Sequence, residues 1–214
     1  MSAQSSYRTF AELAGHEPEG ESWERLAVSR PSPLLVAAPH GGGIEQGTTE
    51  IARAVADENF SLYGFVGLKE RGNGRLHLPS TRFDDPVFLE LAAGARVVVA
   101  VHGSRSAGRR IALGGRHDAL ARRIAAALQA VGFEASFGDE RHPGAHPRNL
   151  CNRGRDGRGV QLEISRGLRL TLFRGLRALE RQSETDLFAR FVSALRRALL
   201  EFERELLSGA GPAA

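Results

Sequence analysis

The 214-residue sequence has one cysteine, Cys151, and no long hydrophobic run. A single cysteine excludes an internal disulfide and agrees with a reducing compartment. No stretch approaches the ~20 apolar residues of a membrane span, and the first ten residues are polar, without the apolar segment of a signal peptide. We therefore expect a cytoplasmic protein without a membrane partner, which cell lysis could release.

Two common site motifs are also absent. A phosphate-binding loop requires Gly-Lys-Ser/Thr, but Gly47 is followed by two threonines and the only lysine, Lys69, lies elsewhere. An esterase with a His-Gly-Gly-Gly oxyanion loop requires Gly-x-Ser-x-Gly downstream, and neither Ser106 nor Ser165 has both glycines. These absences exclude a phosphate-loop nucleotide site and the serine esterase mechanism.

Charge of one sign is only slightly in excess, with 29 basic and 25 acidic residues and a net charge of +4. All but one of the basic residues are arginine, which pairs with carboxylate or phosphate in a bidentate manner, so an anionic substrate is allowed. No arginine block alternates with aromatic residues, and no helix-turn-helix or zinc-finger pattern occurs. A basic nucleic-acid-binding protein therefore remains the alternative to an enzyme that acts on an anionic substrate.

The most informative stretch is residues 34–45, Leu-Leu-Val-Ala-Ala-Pro-His-Gly-Gly-Gly-Ile-Glu. Its apolar part is too short for a globular helix, which favours a buried central strand ending at the edge where open α/β sheets place ligands. Three glycines allow the backbone to turn sharply or approach a ligand closely. A zinc site could use His40 and Glu45, with His102 as the third protein ligand at the end of a second strand.

The remaining pattern predicts the fold. Alternating strands and helices indicate an α/β protein with three α/β/α layers and a mixed, mostly parallel sheet. One domain is expected over residues 1–207, with a disordered tail at 208–214. A brief strand is expected at 76–78 and a long loop at 138–158. The main predicted helices are 9–14, 48–59, 86–93, 120–131 and one from about 183, and the main strands are 23–28, 34–40, 62–67, 96–103, 110–113, 133–137 and 160–164.

Five segments of the chain form a recognisable set of motifs: residues 40–45, 76–78, 101–103, 149–153 and 159–164. Together they resemble the poly-γ-glutamate hydrolase family of phages and bacilli. The resemblance extends over about residues 5–200 and implies a zinc carboxypeptidase-like fold. It also implies Zn²⁺ as cofactor and cleavage of the γ-glutamyl amide bonds of anionic poly-γ-glutamate.

The site roles follow from this resemblance. Glu163, a carboxylate inside an apolar strand, corresponds to the carboxypeptidase general base, and its alternative is a structural ion pair with an arginine such as Arg153. An arginine would stabilise the oxyanion. Unlike the carboxypeptidase pattern, four residues separate His40 from Glu45, and the Asn-Arg pair follows His102. The expected substrate-binding residues are Arg105, Arg148, Asn152, Arg153 and His77.

Two hydrolase interpretations remain open at this level. One is cleavage of poly-γ-glutamate. The other is an amidase acting on small N-acyl amino acids or on cell-wall γ-glutamyl bonds. An open groove would favour the polymer, and a closed pocket would favour the small substrate.

Overall fold

The computed structural model describes residues 6–138 and 143–209. Within these residues, seven strands form one sheet in the order β1-β3-β2-β4-β7-β5-β6. The strands are β1 (Trp23–Val28), β2 (Leu34–Gly42), β3 (Ser61–Gly67), β4 (Val97–Ser104), β5 (Arg110–Gly115), β6 (Glu134–Phe137) and β7 (Val160–Ser165).

The four central strands β3, β2, β4 and β7 run parallel to one another. Strand β1 is antiparallel to β3, strand β5 is antiparallel to β7, and β5 and β6 are parallel. The predicted mixed, mostly parallel sheet is therefore confirmed. Because the central strands share one direction, their carboxyl ends meet at the same edge, where α/β sheets place ligands.

Helices cover both faces of this sheet. In β2, Leu34 and Val36 face a core shared with α2, α4, α5 and α6, whereas Leu35 and Ala37 face a core shared with α1 and α3. Alternate residues of a buried strand point to opposite faces, so this single strand supplies both cores. The helices are α1 (Phe10–His16), α2 (Thr48–Ala56), α3 (Pro86–Gly94), α4 (Asp118–Ala130), α5 (Arg166–Leu172) and α6 (Asp186–Ser208).

Two local predictions were wrong. The brief strand at 76–78 is not formed, because a 3₁₀ helix covers Asn73–Leu76 after Gly72, which adopts a left-handed φ of 80°. Three alternating residues are too few to distinguish a strand from such a turn. Helix α5 was missed because it is only seven residues long; it begins at Ser165, whose hydroxyl accepts from the Leu168 N–H at 3.3 Å.

The final helix begins at Asp186, three residues after its expected start, and ends one residue beyond its expected end. Helix α6 includes Ser208, and Gly209 caps it with a left-handed φ of 70°. The rest of the predicted tail lies outside the described residues. None of the helices in the described residues has the length and apolar character needed to cross a membrane.

Candidate metal centre

The centre begins at the carboxyl end of β2. The pairing of β2 with β3 shifts between Ala38 and Gly41, and His40 lies within this irregularity. The buried His40 ring donates its Nε2–H to the Leu78 carbonyl at 2.7 Å, so its Nδ1 faces the opposite side. There, Nδ1 lies 3.2 Å from Glu45 Oε1. The tautomer of His40 is thus fixed by the backbone of residue 78.

The glycine turn makes this approach sterically allowed. Gly42 has a φ of 62°, and a Cβ on it would lie 2.7 Å from the Val66 side chain. A Cβ on Gly43 would lie 2.6 Å from Cγ of Asn73, whose amide is already bonded to the Lys69 backbone. The turn therefore needs glycine because neighbouring chain passes directly beside it.

His102 joins the centre from the next strand. Its Nδ1 lies 3.2 Å from His40 Nδ1 and 3.5 Å from Glu45 Oε2. The Gly103 N–H donates to Glu45 Oε2 at 2.8 Å, which orients the carboxylate toward both rings. The three predicted ligands, taken from two parallel strand ends and the turn after one of them, are thus brought together.

His77 also reaches this cluster. Its ring stacks on that of His40 with centroids 3.9 Å apart, and its Nε2 lies 3.5 Å from Glu45 Oε1. Donor atoms of His40, Glu45 and His77 all lie within 4.8 Å of one another. The described residues therefore offer two overlapping donor sets, which share His40 and Glu45 and differ in whether His102 or His77 is the third donor.

The electrostatics of the cluster favour a cation. Burial, the largest influence, lowers the pKa of His40 to about 4 despite the nearby Glu45, so the ring is neutral near pH 7. Because its Nε2 carries the proton, the lone pair of its Nδ1 points at the Glu45 carboxylate and the His102 ring. Burial would raise the pKa of Glu45, but the three histidines outweigh it and hold this pKa well below its usual value. Two ring nitrogens and a carboxylate oxygen converge here, and these are ligand atoms that suit Zn²⁺.

Glu163 lies beside this donor set. It is the Cα partner of His102 in the pairing of β4 with β7. Leu162 and Ile164 point into the α4 and α6 core, so Glu163 points to the opposite face, as does His102. Burial would lower the pKa of His102, but Glu45, and to a smaller extent Glu163, raise it. The carboxylate is close enough to His102 to act electrostatically on it.

The predicted substrate-binding residues lie in different environments. Arg105 and Arg148 are exposed, and Arg153 is half-buried, donating from Nε to the Arg148 carbonyl at 3.1 Å. Asn152 is buried and fully used by the loop backbone: its Oδ1 accepts from two N–H groups, and its Nδ2 donates to two carbonyls. This geometry gives Asn152 a role in shaping the loop and leaves the exposed arginines free to meet a ligand.

A groove with a volume of about 1350 Å³ lies beside the glycine turn, and its lining includes none of the residues of the centre itself. It is lined by segments that flank the cluster, including Gly43 and Gln46 on either side of Glu45, and Arg105, three residues after His102. Its walls carry charge of both signs, positive from residues such as Arg71 and Arg177 and negative from residues such as Glu24 and Glu70. The groove is larger than the ~300–1,000 Å³ typical of a small-molecule pocket.

Comparison with known proteins identifies the family. The family model for poly-gamma-glutamate hydrolase matches residues 7–194. The chain belongs to the poly-gamma-glutamate hydrolase family. Membership places it among hydrolases, confirms the resemblance seen in the sequence motifs, and displaces the alternative of a nucleic-acid-binding protein.

Relatives of this hydrolase family agree in sequence and fold. The UPF0714 protein YndL of Bacillus subtilis (strain 168) is 37% identical over 186 residues, which cover 86% of this chain and 73% of YndL. A zinc-free YndL structure superposes with a TM-score of 0.88 at 34% identity, covering 92% of this chain and 98% of that one. The structure of a bacteriophage poly-gamma-glutamate hydrolase superposes with a TM-score of 0.91 at 30% identity, covering 93% of this chain and 98% of that one.

A more distant structure shares the fold alone. The N-formylglutamate amidohydrolase from Ralstonia eutropha JMP134 has a TM-score of 0.55 at 12% identity, covering 88% of this chain and 99% of that one. At this identity the match supports the α/β architecture without bearing on substrate.

One buried residue in the same region escaped the sequence analysis. Arg169 of α5 is 4% exposed and approaches the ends of β4 and β7. The only signal in the sequence is an arginine within the otherwise apolar run Leu-Arg-Leu-Thr-Leu at 168–172. Its position depends on helix α5, which was not predicted.

Proposed function

We propose that this protein is a zinc-dependent hydrolase of the γ-glutamyl amide bonds of poly-γ-glutamate. The supporting observation is the convergence of the His40 and His102 Nδ1 atoms on the Glu45 carboxylate, a set of two ring nitrogens and a carboxylate that suits Zn²⁺. The description of one YndL structure as the zinc-free form supports zinc as that cation.

The residues of the centre have three proposed roles: binding the metal, transferring a proton and orienting a ligand. His40, Glu45 and His102 would hold Zn²⁺, which supplies Lewis acidity toward the scissile carbonyl and a lowered pKa for the attacking water. Glu163, next to His102 on the neighbouring strand, would act as the general base that accepts a proton from the attacking water and donates it to the nitrogen of the leaving amine. The Leu78 carbonyl holds the tautomer that presents Nδ1 of His40 to the metal.

The groove supports a polymer as substrate. A γ-linked chain carries a free α-carboxylate on every residue, and arginine pairs with carboxylates in a bidentate manner. Arg105 on the groove wall provides one such cation, and exposed Arg148 with half-buried Arg153 provides two more in the loop before β7, the strand that carries Glu163. A groove of about 1350 Å³ accommodates an extended chain, whereas the amidase alternative calls for a closed pocket.

The test compares the two substrates on one preparation. Poly-γ-glutamate and a small N-acyl glutamate are incubated with the enzyme, with and without a zinc chelator, and products are separated by size. We expect shortening of the polymer, loss of this activity with chelator, and recovery on adding zinc. Faster turnover of the small amide than of the polymer would favour the amidase interpretation instead.

A further inference from the structure

Arg169 makes an unusual set of contacts for a buried arginine. Its Nε donates to the Ile164 carbonyl at 3.1 Å, its Nη2 donates to the Ser104 carbonyl at 2.8 Å, and its Nη1 donates to the Gln46 carbonyl. A planar guanidinium has donors in a fixed fork, so it can satisfy three main-chain acceptors from different directions at once. One side chain thereby joins three separate segments of the chain.

Each of these segments carries one predicted centre residue. The carbonyl bound by Nη1 directly follows Glu45 in the chain, and the carbonyl bound by Nη2 lies two residues after His102. The carbonyl bound by Nε directly follows Glu163. The guanidinium therefore fixes the spacing between two predicted metal ligands and the predicted proton carrier.

The strand end of β4 is shaped to admit this guanidinium. A Cβ at Gly103 would lie 2.6 Å from Arg169 Cζ and 3.0 Å from its Nε, so only glycine leaves the space that Arg169 occupies. The same Gly103 donates its N–H to Glu45 Oε2 at 2.8 Å. The position of Gly103 thus couples the guanidinium to the orientation of the Glu45 carboxylate.

We propose that Arg169 is a positioning residue that sets the geometry of the metal centre by holding the segments after Glu45, His102 and Glu163 together. It acts through the main chain and touches neither substrate nor metal. This inference rests on the proposed function, because it assumes that Glu45 and His102 bind zinc.

The test measures zinc affinity in Arg169→Lys. Lysine keeps the charge but places its donors at one point, so it cannot bridge three carbonyls. We expect zinc affinity, measured by competition with a chromogenic chelator, to fall about 10- to 100-fold, the usual effect of losing a group that orients metal ligands. At saturating zinc, kcat should fall while KM stays within about twofold.

Two controls separate positioning from general stability. Arg30→Lys alters another arginine that donates to a main-chain carbonyl, that of Phe60, outside the centre. Arg166→Lys alters an exposed arginine of the same helix. We expect Arg30→Lys to lower the melting temperature with zinc affinity unchanged, and Arg166→Lys to change neither.

A second variant covers the case in which Arg169→Lys does not fold. Gly103→Ala displaces the guanidinium through its Cβ and retains the charge, and we expect the same loss of zinc affinity. Zinc affinity within about twofold of the unmodified protein in either folded variant would overturn the role of Arg169. If the unmodified protein itself binds no zinc, the proposed function fails, which is a different result.

Discussion

At the scale of single residues, the centre depends on which nitrogen of His40 carries the proton. Donation from Nε2 to the Leu78 carbonyl leaves Nδ1 as an acceptor facing another acceptor, Glu45. His40, Glu45 and His102 could be found from the sequence, because each stands at or just after the end of an apolar strand. His77 and Arg169 could not be placed in this way, because their positions depend on a 3₁₀ turn and a short helix that the pattern does not reveal.

The two donor sets predict different losses of metal. His102 is 3% exposed and held by the register of β4 with β7, whereas His77 follows the 3₁₀ turn and is partly exposed. We therefore expect His102→Ala to lose zinc and His77→Ala to keep about one zinc per chain. Elemental analysis of both variants measures this, and the reverse pattern would make His77 the third ligand.

Glu163→Gln tests the proton carrier. Glutamine keeps the size of the side chain and removes the base, so zinc content and melting temperature should persist while turnover falls ~10²- to 10⁴-fold. Zinc lost in parallel with activity would instead make Glu163 a ligand. A lower melting temperature with normal turnover would make it a structural residue.

Arg148→Ala and Arg153→Ala test whether these two arginines bind the substrate. Because both would pair with α-carboxylates, we expect a raised KM with a smaller change in kcat, and a KM that rises further with salt. Arg204→Ala, an exposed arginine of α6, is the matched control and should leave KM unchanged. Unchanged kinetics in both loop variants would place the carboxylate contacts elsewhere.

At the scale of elements, the strands that form the centre are the best predicted part of the chain. Strands β2, β4 and β7 are buried apolar runs bounded by glycine, proline or histidine, so their ends were predicted within two residues. The 3₁₀ turn and helix α5 are short, and tertiary contacts determine them more than local pattern does. Another tertiary contact is the ion pair between the buried Glu17, which follows α1, and Lys69, which follows β3.

Glu17 makes the stability of this junction depend on pH. Burial would raise its pKa, but hydrogen bonds from Lys69, Ser22 and Tyr7 outweigh burial and lower the pKa from 4.5 to about 2. Since the folded pKa is below the unfolded one, the stabilisation is complete above pH 4.5 and is lost as the pH falls toward 2. The shift corresponds to at most about 3 kcal/mol.

Unfolding measurements of Glu17→Gln check this. We expect the variant to be less stable than the unmodified protein at pH 7 and equally stable well below pH 2, where both side chains are uncharged. The exposed Glu21→Gln is the control and should match the unmodified protein at both values. If Glu17→Gln lowers the free energy of unfolding by the same amount at every pH, the charge of Glu17 contributes nothing to stability.

At the scale of the whole molecule, the parallel strand ends, the groove and the surrounding arginines share one edge of the sheet. The α/β class and the clustering of His40, Glu45 and His102 were predictable because strand periodicity and strand-end histidines are local signals. The groove was not predictable from the sequence, since its walls come from residues far apart in the chain, such as Glu24, Arg71 and Arg177. The cytoplasmic location remains a prediction.

The groove predicts a dependence on substrate length. If successive residues of the polymer occupy it, kcat/KM should rise with the number of γ-linked glutamates until the groove is filled, and then remain constant. Defined γ-glutamyl oligomers of increasing length measure this. A rate that is already maximal for the shortest cleavable oligomer would restrict recognition to the bond that is cut.

The most direct test of the account is a zinc titration of the metal-free protein while cleavage of poly-γ-glutamate is recorded. A site of three protein ligands predicts activity that is absent without metal, rises in proportion to added zinc, and stops rising at about one zinc per chain. In His102→Ala, activity should not rise with added zinc and level off at one zinc per chain. Full cleavage by the metal-free protein, or activity that does not follow zinc occupancy, would contradict the account.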